Sequence, residues 1–416
     1  MISSSPSDNE KASENRYIHT DGGMHNVIAN TGDNVNIYAN RSSPADIWAT
    51  FEDQNRRALR NSRPWIEGLT GVVPRPEVAD IEKLLHGGES VLIIGSSGTG
   101  KSGLGFQLMK RAEERGQPRL ALDCRIFHEI RDSPDLQQHL SLGSLSLCRA
   151  CGEVVKHWRG KNKAFLMVID QTDSVVGTPA GTEFVEVALD CHGRADIQVV
   201  VISRSGEVQE QRLLQPLYRE GFRQVQSTEL PSSLPYLKQL DIKNPSPEAI
   251  EMARNLLNLS LMATIRLQNP AFNFGNITNE VALWNERLEV FLQRNKVQGP
   301  QWLAELTRLA ECGLKNPGGI FQVSEPPLEA HRNLISEGFI KTRTSTSQIC
   351  SFSHENLQDF LYARSAVQTG RLPESVVEDL GRFRAQGALI WMDKISKISD
   401  AQETTREALL RSLFNV

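Results

Sequence analysis

Val91-Leu92-Ile93-Ile94-Gly95-Ser96-Ser97-Gly98-Thr99-Gly100-Lys101-Ser102-Gly103 joins a short apolar run to a glycine-rich turn that closes on Lys-Ser. Four consecutive apolar residues without alternation fit a strand buried on both faces. The turn after them satisfies every fixed position of G-x-x-x-x-G-K-[ST]. Glycines at 95, 98 and 100 let the backbone curl so that successive N–H groups point inward at phosphate oxygens, and a following helix adds the positive end of its dipole. The spacing predicts a loop, from Gly95 to Gly103, that cradles a nucleoside triphosphate. Lys101 is expected to reach the β- and γ-phosphates, and Ser102 to offer a hydroxyl to Mg²⁺.

Working outward, three further apolar runs follow: Leu120-Ala121-Leu122, Phe165 to Ile169, and Val199 to Ile202. With helical patterns between them, they predict an α/β domain over 66–230, built on a parallel sheet of P-loop NTPase type. The third run ends in Asp170, with Asp173 one short turn later. Asp170 is read as an acid on a strand neighbouring the phosphate-loop strand, holding Mg²⁺ directly or through water, and Asp173 as the residue that polarises the attacking water. The fourth ends in Ser203-Arg204, which puts Arg204 opposite the γ-phosphate, where it can sense that charge.

After Pro231 the strands stop, and 231–300 reads as a helical domain. The order helix, helix, strand, turn, strand, helix over 301–366 is a winged-helix pattern, and 367–416 is a helical segment. The first 65 residues are rich in Ser, Asn, Asp and Gly. They read as a tail with one weak hairpin around Val27-Ile28 and Val35/Ile37/Tyr38, or as a segment that stacks with other copies through Asn ladders. Residues 45–65, with Arg56, Arg57, Arg60 and Arg63, read as a solvated helical linker.

Composition excludes several classes. Across 416 residues, 46 basic side chains stand against 50 acidic ones, a net charge of -4 without the basic excess of a nucleic-acid or membrane-surface binder. No run approaches the roughly 18 to 20 apolar residues of a spanning helix, and the opening residues have no signal-peptide core, so a cytoplasmic location is expected. The six cysteines read as free thiols. Cys148-x-x-Cys151 lacks the second pair that a zinc site needs.

The order of these elements resembles the STAND class of signalling NTPases, and within it the NACHT group. The winged-helix unit ends in Phe352-Ser353-His354-Glu355-Asn356-Leu357-Gln358-Asp359-Phe360-Leu361-Tyr362-Ala363, similar to the group's F-x-H-x-x-[LF]-Q-[ED]-[FY]-L-x-A signature. The resemblance implies that His354 contacts the β-phosphate of bound ADP and latches the resting state. It also implies that Pro270 lies against the adenine, and that the lead-in around Val73 and Arg75 contacts the same base. The group's D-G-x-D-E acid motif is here Asp170-Gln171-Thr172-Asp173-Ser174, which leaves ATP, ADP and Mg²⁺ binding intact and argues for slow, regulatory hydrolysis. By this resemblance the chain is an ATP/ADP switch that forms homo-oligomers when active, in innate-immune, antiviral or cell-death signalling, with sensor or effector proteins as partners. A DNA-loading initiator ATPase has the same pairing of units. It needs a basic recognition helix, whereas 328–337 is acid-rich, which argues against nucleic acid as a partner. An ordinary P-loop kinase would lack the two helical units beyond the sheet.

Overall fold

The computed structural model describes residues 26–31, 34–39, 43–61, 65–127, 129–160, 164–204, 208–316, 319–323, 328–342 and 349–398. Strands β1 (Asn26–Thr31) and β2 (Asn34–Ala39) pair antiparallel, with Ile28 opposite Ile37 and Val27 opposite Tyr38. This is the hairpin the apolar pairs suggested; the preceding 25 residues and the C-terminal residues 399–416 lie outside the described set.

Helix α1 (Pro44–Asn61) overturns the reading of a solvated linker. Ile47, Phe51, Asn55 and Ala58 are buried, and the Phe51 ring meets Phe165 edge to face at 5.8 Å. The cause is an apolar stripe at helical spacing beneath Arg56, Arg57 and Arg60, which remain on the outer face. Asn55 sits inside this stripe. Its amide donates to Arg119 O at 3.0 Å and accepts from Ala121 N at 2.8 Å, so one side chain pairs with the free edge of a strand as a further strand would.

That strand opens a parallel sheet. Helix α2 (Glu77–His86) precedes β3 (Val91–Ile94) and α3 (Lys101–Glu114). Then come β4 (Arg119–Asp123), α4 (Ser133–His139), α5 (Leu147–His157), β5 (Phe165–Asp170), α6 (Pro179–Cys191), β6 (Ile197–Ile202), α7 (Val208–Arg219) and β7 (Arg223–Gln226). The five-stranded order is β4-β5-β6-β3-β7, with every pairing parallel. One expectation is corrected: β6 lies between β3 and β5, so Asp170 is not on a strand adjacent to the phosphate-loop strand. A strand's composition tells how deeply it is buried but not its lateral place. All carboxyl ends still reach one edge, and that shared edge is what the site requires. Strand β7 went unseen in the sequence because its residues, Arg-Gln-Val-Gln, are mostly exposed at the sheet's other margin.

Four helices follow: α8 (Leu234–Gln239), α9 (Pro247–Met252), α10 (Leu256–Gln268) and α11 (Glu280–Arg294). The next unit runs α12 (Gly299–Lys315), β8 (Ile320–Gln322), α13 (Glu329–Ser336), β9 (Ile340–Thr342), β10 (Ile349–Phe352) and α14 (Glu355–Gln368). Its sheet order is β8-β10-β9, so the wing gains a third strand that was not anticipated. Helices α15 (Pro373–Leu380) and α16 (Arg382–Ser396) complete the described chain. Residues from α8 to α16 share one apolar core, which also takes in Ile66 and Val73, whereas the sheet has two cores of its own, one on each face. No helix of the described residues is long and apolar enough to cross a membrane.

If α1 is an integral layer, Phe51→Ala is expected to cost about 3–5 kcal/mol and Asn55→Ala about 1–3 kcal/mol. Arg56→Ala on the outer face should stay within about 0.5 kcal/mol of the parent. Urea denaturation of the three variants checks this, and near-parental stability of Phe51→Ala would return α1 to the role of a linker.

Candidate functional site

The loop between β3 and α3 is held open by its own geometry. Gly98 and Gly100 have φ of +80° and +90°, a left-handed conformation that suits glycine. None of the main-chain N–H groups of Ser97, Gly98, Thr99 or Gly100 has a protein acceptor among the described residues. Unpaired amides facing inward at a helix N-terminus form an anion cradle. Lys101, nearly buried, donates to Gly95 O at 2.7 Å and Ser96 O at 2.8 Å, which folds its ammonium over the loop.

Two side chains, buried Arg75 and half-buried Asn255, brace the cradle from outside. Arg75 donates to the Thr99 carbonyl, to Thr228 O at 2.6 Å and to both carboxylate oxygens of Glu77. Burial works against the Glu77 charge, yet hydrogen bonds from Arg75 and Thr228 hold its carboxyl below the usual range. Asn255 caps α10 by accepting from Leu257 N at 3.0 Å and donates to Ser97 O at 3.1 Å. The helical unit is thereby tied to the phosphate loop.

A cavity of about 360 Å³ opens above the loop. One wall contains Ser97, Gly98, Gly100, Lys101, Ser102, Gly103, Gln171, Asp173 and Arg204. The facing wall comes from the wing and the start of α14, through Lys341, Phe352, His354 and Glu355. An apolar end is lined by Trp65, Ile66, Val73, Leu256 and Leu257. Of the residues singled out in the sequence, the structure brings the loop, Asp173, Arg204, His354 and Val73 to this one space. Pro270 is not brought there. It is exposed beyond the C-terminal end of α10, and the helical unit reaches the cavity through the opposite end of that helix.

Asp170 stands behind Ser102, which hydrogen-bonds to it, and Gln171 donates to the Ser102 hydroxyl at 2.9 Å. Burial, with Asp123 and Asp173 nearby, pushes the Asp170 carboxyl up to about 6, against the opposing pull of Arg125 and Ser102. A buried acid beside a hydroxyl, with raised proton affinity in the absence of a cation, suits a divalent metal, so Ser102 and Asp170 fit Mg²⁺ as a donor set. Asp173 is engaged by Arg204, whose Nε lies 3.2 Å away, and the same guanidinium pairs with Glu355. His354 lies exposed on the cavity wall, with protein packed around that wall. That enclosure, together with Lys341 and Arg125, pushes its imidazole down to about 4, so it faces the cavity uncharged at neutral pH.

Two cations were missed in the sequence. Arg125 lines the cavity and is bound by Asp123 through two bonds of 2.8 Å. Its position just past β4 on the shared carboxyl edge was the available signal. Lys341 lies on the wing strand β9, and nothing local in the sequence marks it as facing a phosphate loop.

No family model and no curated protein matches the chain. Among solved structures, it is similar to the Orc1 protein of Aeropyrum pernix in complex with DNA, at 16% identity over 75% of this chain and 96% of that one, with a TM-score of 0.36. AMPPCP-bound DnaA from Aquifex aeolicus aligns at 13% identity, over 83% of this chain and 94% of that one, with a TM-score of 0.36. A STAND protein with a tetratricopeptide repeat sensor from Pyrococcus horikoshii aligns at 14% identity, over 86% of this chain and 60% of that one, with a TM-score of 0.38.

Gly100 offers a direct test of the cradle. A Cβ there would stand 2.5 Å from Leu256 Cδ1 and 2.7 Å from an Arg75 nitrogen, in a left-handed backbone. Gly100→Ala is expected to lose about 1–2 kcal/mol from the backbone conformation alone and to weaken phosphate binding further. Thermal unfolding with and without nucleotide separates the two effects. A parallel five-stranded sheet, with a loop of unpaired amides between β3 and α3 and helical units beyond it, gives this chain the P-loop NTPase fold.

Proposed function

We propose that the chain is an ATP/ADP-operated switch of the STAND/NACHT type, closed with ADP and opening to form homo-oligomers on exchange for ATP. The observation that carries this reading is the double wall of the cavity. Phosphate-loop residues form one side, and Lys341, Phe352, His354 and Glu355 of the winged-helix unit form the other. A ligand held between two units responds to, and controls, their separation.

In this reading the amides of Ser97 to Gly100 and the Lys101 ammonium hold the phosphates, and neutral His354 donates a hydrogen bond from the winged-helix side. Ser102 and Asp170 would hold Mg²⁺, which when bound neutralises charge on the phosphate oxygens. Trp65, Val73 and Leu256 supply apolar surface for a base. Asp173, paired with Arg204, is restrained from orienting water, and this matches a slow, regulatory hydrolysis. The units are 66–230, 231–300, 301–366 and 367–416; the described helices of the last three share one core and act together against the first. The β1–β2 hairpin passes the signal on once copies cluster, to effectors in cytoplasmic innate-immune, antiviral or cell-death signalling.

The DNA-loading initiator reading makes a different use of the winged helix. In α13, His331 is buried and 2.8 Å from Glu305, which removes it from any DNA-facing surface and favours the switch. Denaturing the purified protein and identifying the released nucleotide tests the proposal. ADP is expected, lost with Lys101→Ala and released about tenfold faster with His354→Ala, the equivalent of one hydrogen bond. Absence of any bound or binding purine nucleotide would overturn the reading. DNA affinity that falls about a thousandfold between 50 and 200 mM salt would move it to the initiator class.

A further inference from the structure

We propose that Glu355 sets the preference of the closed form for a nucleoside diphosphate over a triphosphate. The inference rests on the switch reading above and names the group that enforces it. Arg204 is gripped from two sides: its Nε lies 3.2 Å from Asp173 Oδ2, and its terminal nitrogen pairs with the Glu355 carboxylate. Asp173 follows the sheet strand β5, while Glu355 opens α14. One guanidinium therefore joins the sheet to the winged-helix unit. Arg204, Asp173 and Glu355 all line the nucleotide cavity.

Glu355 does not depend on Arg204 alone for its charge. It occupies the first turn of α14, where the helix dipole favours a carboxylate. It is a standing negative charge at the phosphate end of the cavity. The nearby cations already have anionic or carbonyl partners: Arg125 is held by Asp123, and Lys101 is folded onto Gly95 and Ser96. One further phosphate at this end therefore meets the Glu355 carboxylate and competes with it for Arg204. A further phosphate that draws the terminal nitrogen now on Glu355 makes Arg204 give that carboxylate up. Giving it up also removes the ion pair that holds α14 against the sheet. Rejection of the triphosphate by the closed form and release of the winged-helix unit by the triphosphate are then the same exchange of partners at Arg204.

Calorimetric titration of the full chain, stripped of nucleotide, with ADP and with the β,γ-methylene analogue of ATP tests this. Wild type is expected to bind ADP more tightly. Glu355→Gln, which keeps the size and removes the charge, should narrow the ratio of the two dissociation constants about tenfold, with the triphosphate analogue gaining affinity relative to ADP. Should that variant fail to fold, Glu355→Asp, with the same charge on a shorter stem, should narrow the ratio by a smaller factor. An unchanged ratio in a folded Glu355→Gln or Glu355→Asp protein overturns the inference and leaves the switch standing. Wild-type protein that binds neither nucleotide overturns both.

Discussion

The geometry of the phosphate loop depends on keeping four main-chain amides, from Ser97 to Gly100, without partners among the described residues. Unpaired N–H groups are costly when enclosed, so such a loop collapses unless its neighbours hold it open. Arg75 and Asn255 do this by taking the carbonyls of Thr99 and Ser97 and leaving the N–H groups alone. Arg75 is buried with Glu77 as its counter-charge, and removing one partner of such a pair costs about 3–5 kcal/mol, enough to matter to the whole fold. The second brace is different in kind. Asn255 is also the N-cap of α10, so the orientation of the helical unit and the shape of the phosphate loop are one mechanical variable.

How much of this could be read beforehand follows from the range of the interactions. The parallel sheet was legible because β3, β5 and β6 are continuous apolar runs, and burial on both faces leaves no other pattern. The phosphate loop was legible because its chemistry is local: the glycines, lysine and serine that do the work lie within nine residues. Strand order was not legible, since nothing in Val199 to Ile202 says that it will lie between β3 and β5. The apolar end of the cavity was legible only in part: Val73, singled out in the sequence, lines it, whereas Pro270 does not, and Leu256 and Leu257 arrive through the geometry of a helix cap. The layer formed by α1 was present as Ile47, Phe51 and Ala58 at helical spacing, but the arginines on the other face dominated its composition. Lys341 and the partnership of Glu355 with Arg204 span more than a hundred residues and need the fold to be seen.

The packing also decides where the molecule can part. Residues from α8 to α16 belong to a single apolar core, crossed by rings in contact: Trp284 with Phe360 at 5.9 Å, Phe360 with Trp391 at 5.2 Å and Phe291 with Phe339 at 5.0 Å. Re-exposing one such side chain costs about 1.5–3 kcal/mol, and separating the winged helix from α11 would expose several. Against the sheet, the winged-helix unit presents Glu355, His354 and Lys341 around a cavity. The Arg204–Glu355 pair there is only partly shielded from solvent, with 26% and 31% of the two side chains exposed, and pairs of that kind are worth about 0–1 kcal/mol. The weak plane therefore runs through this cavity. The helical unit and winged helix are favoured to move together, about the segment from Ile66 to Glu77 that links their core to the phosphate loop. A ligand seated in that plane need supply only a few kcal/mol of differential affinity to change which arrangement predominates. The four amides of the loop and the carboxylate of Glu355 lie on opposite sides of that plane, so a ligand that touches both would respond to their separation, as the proposed switch requires.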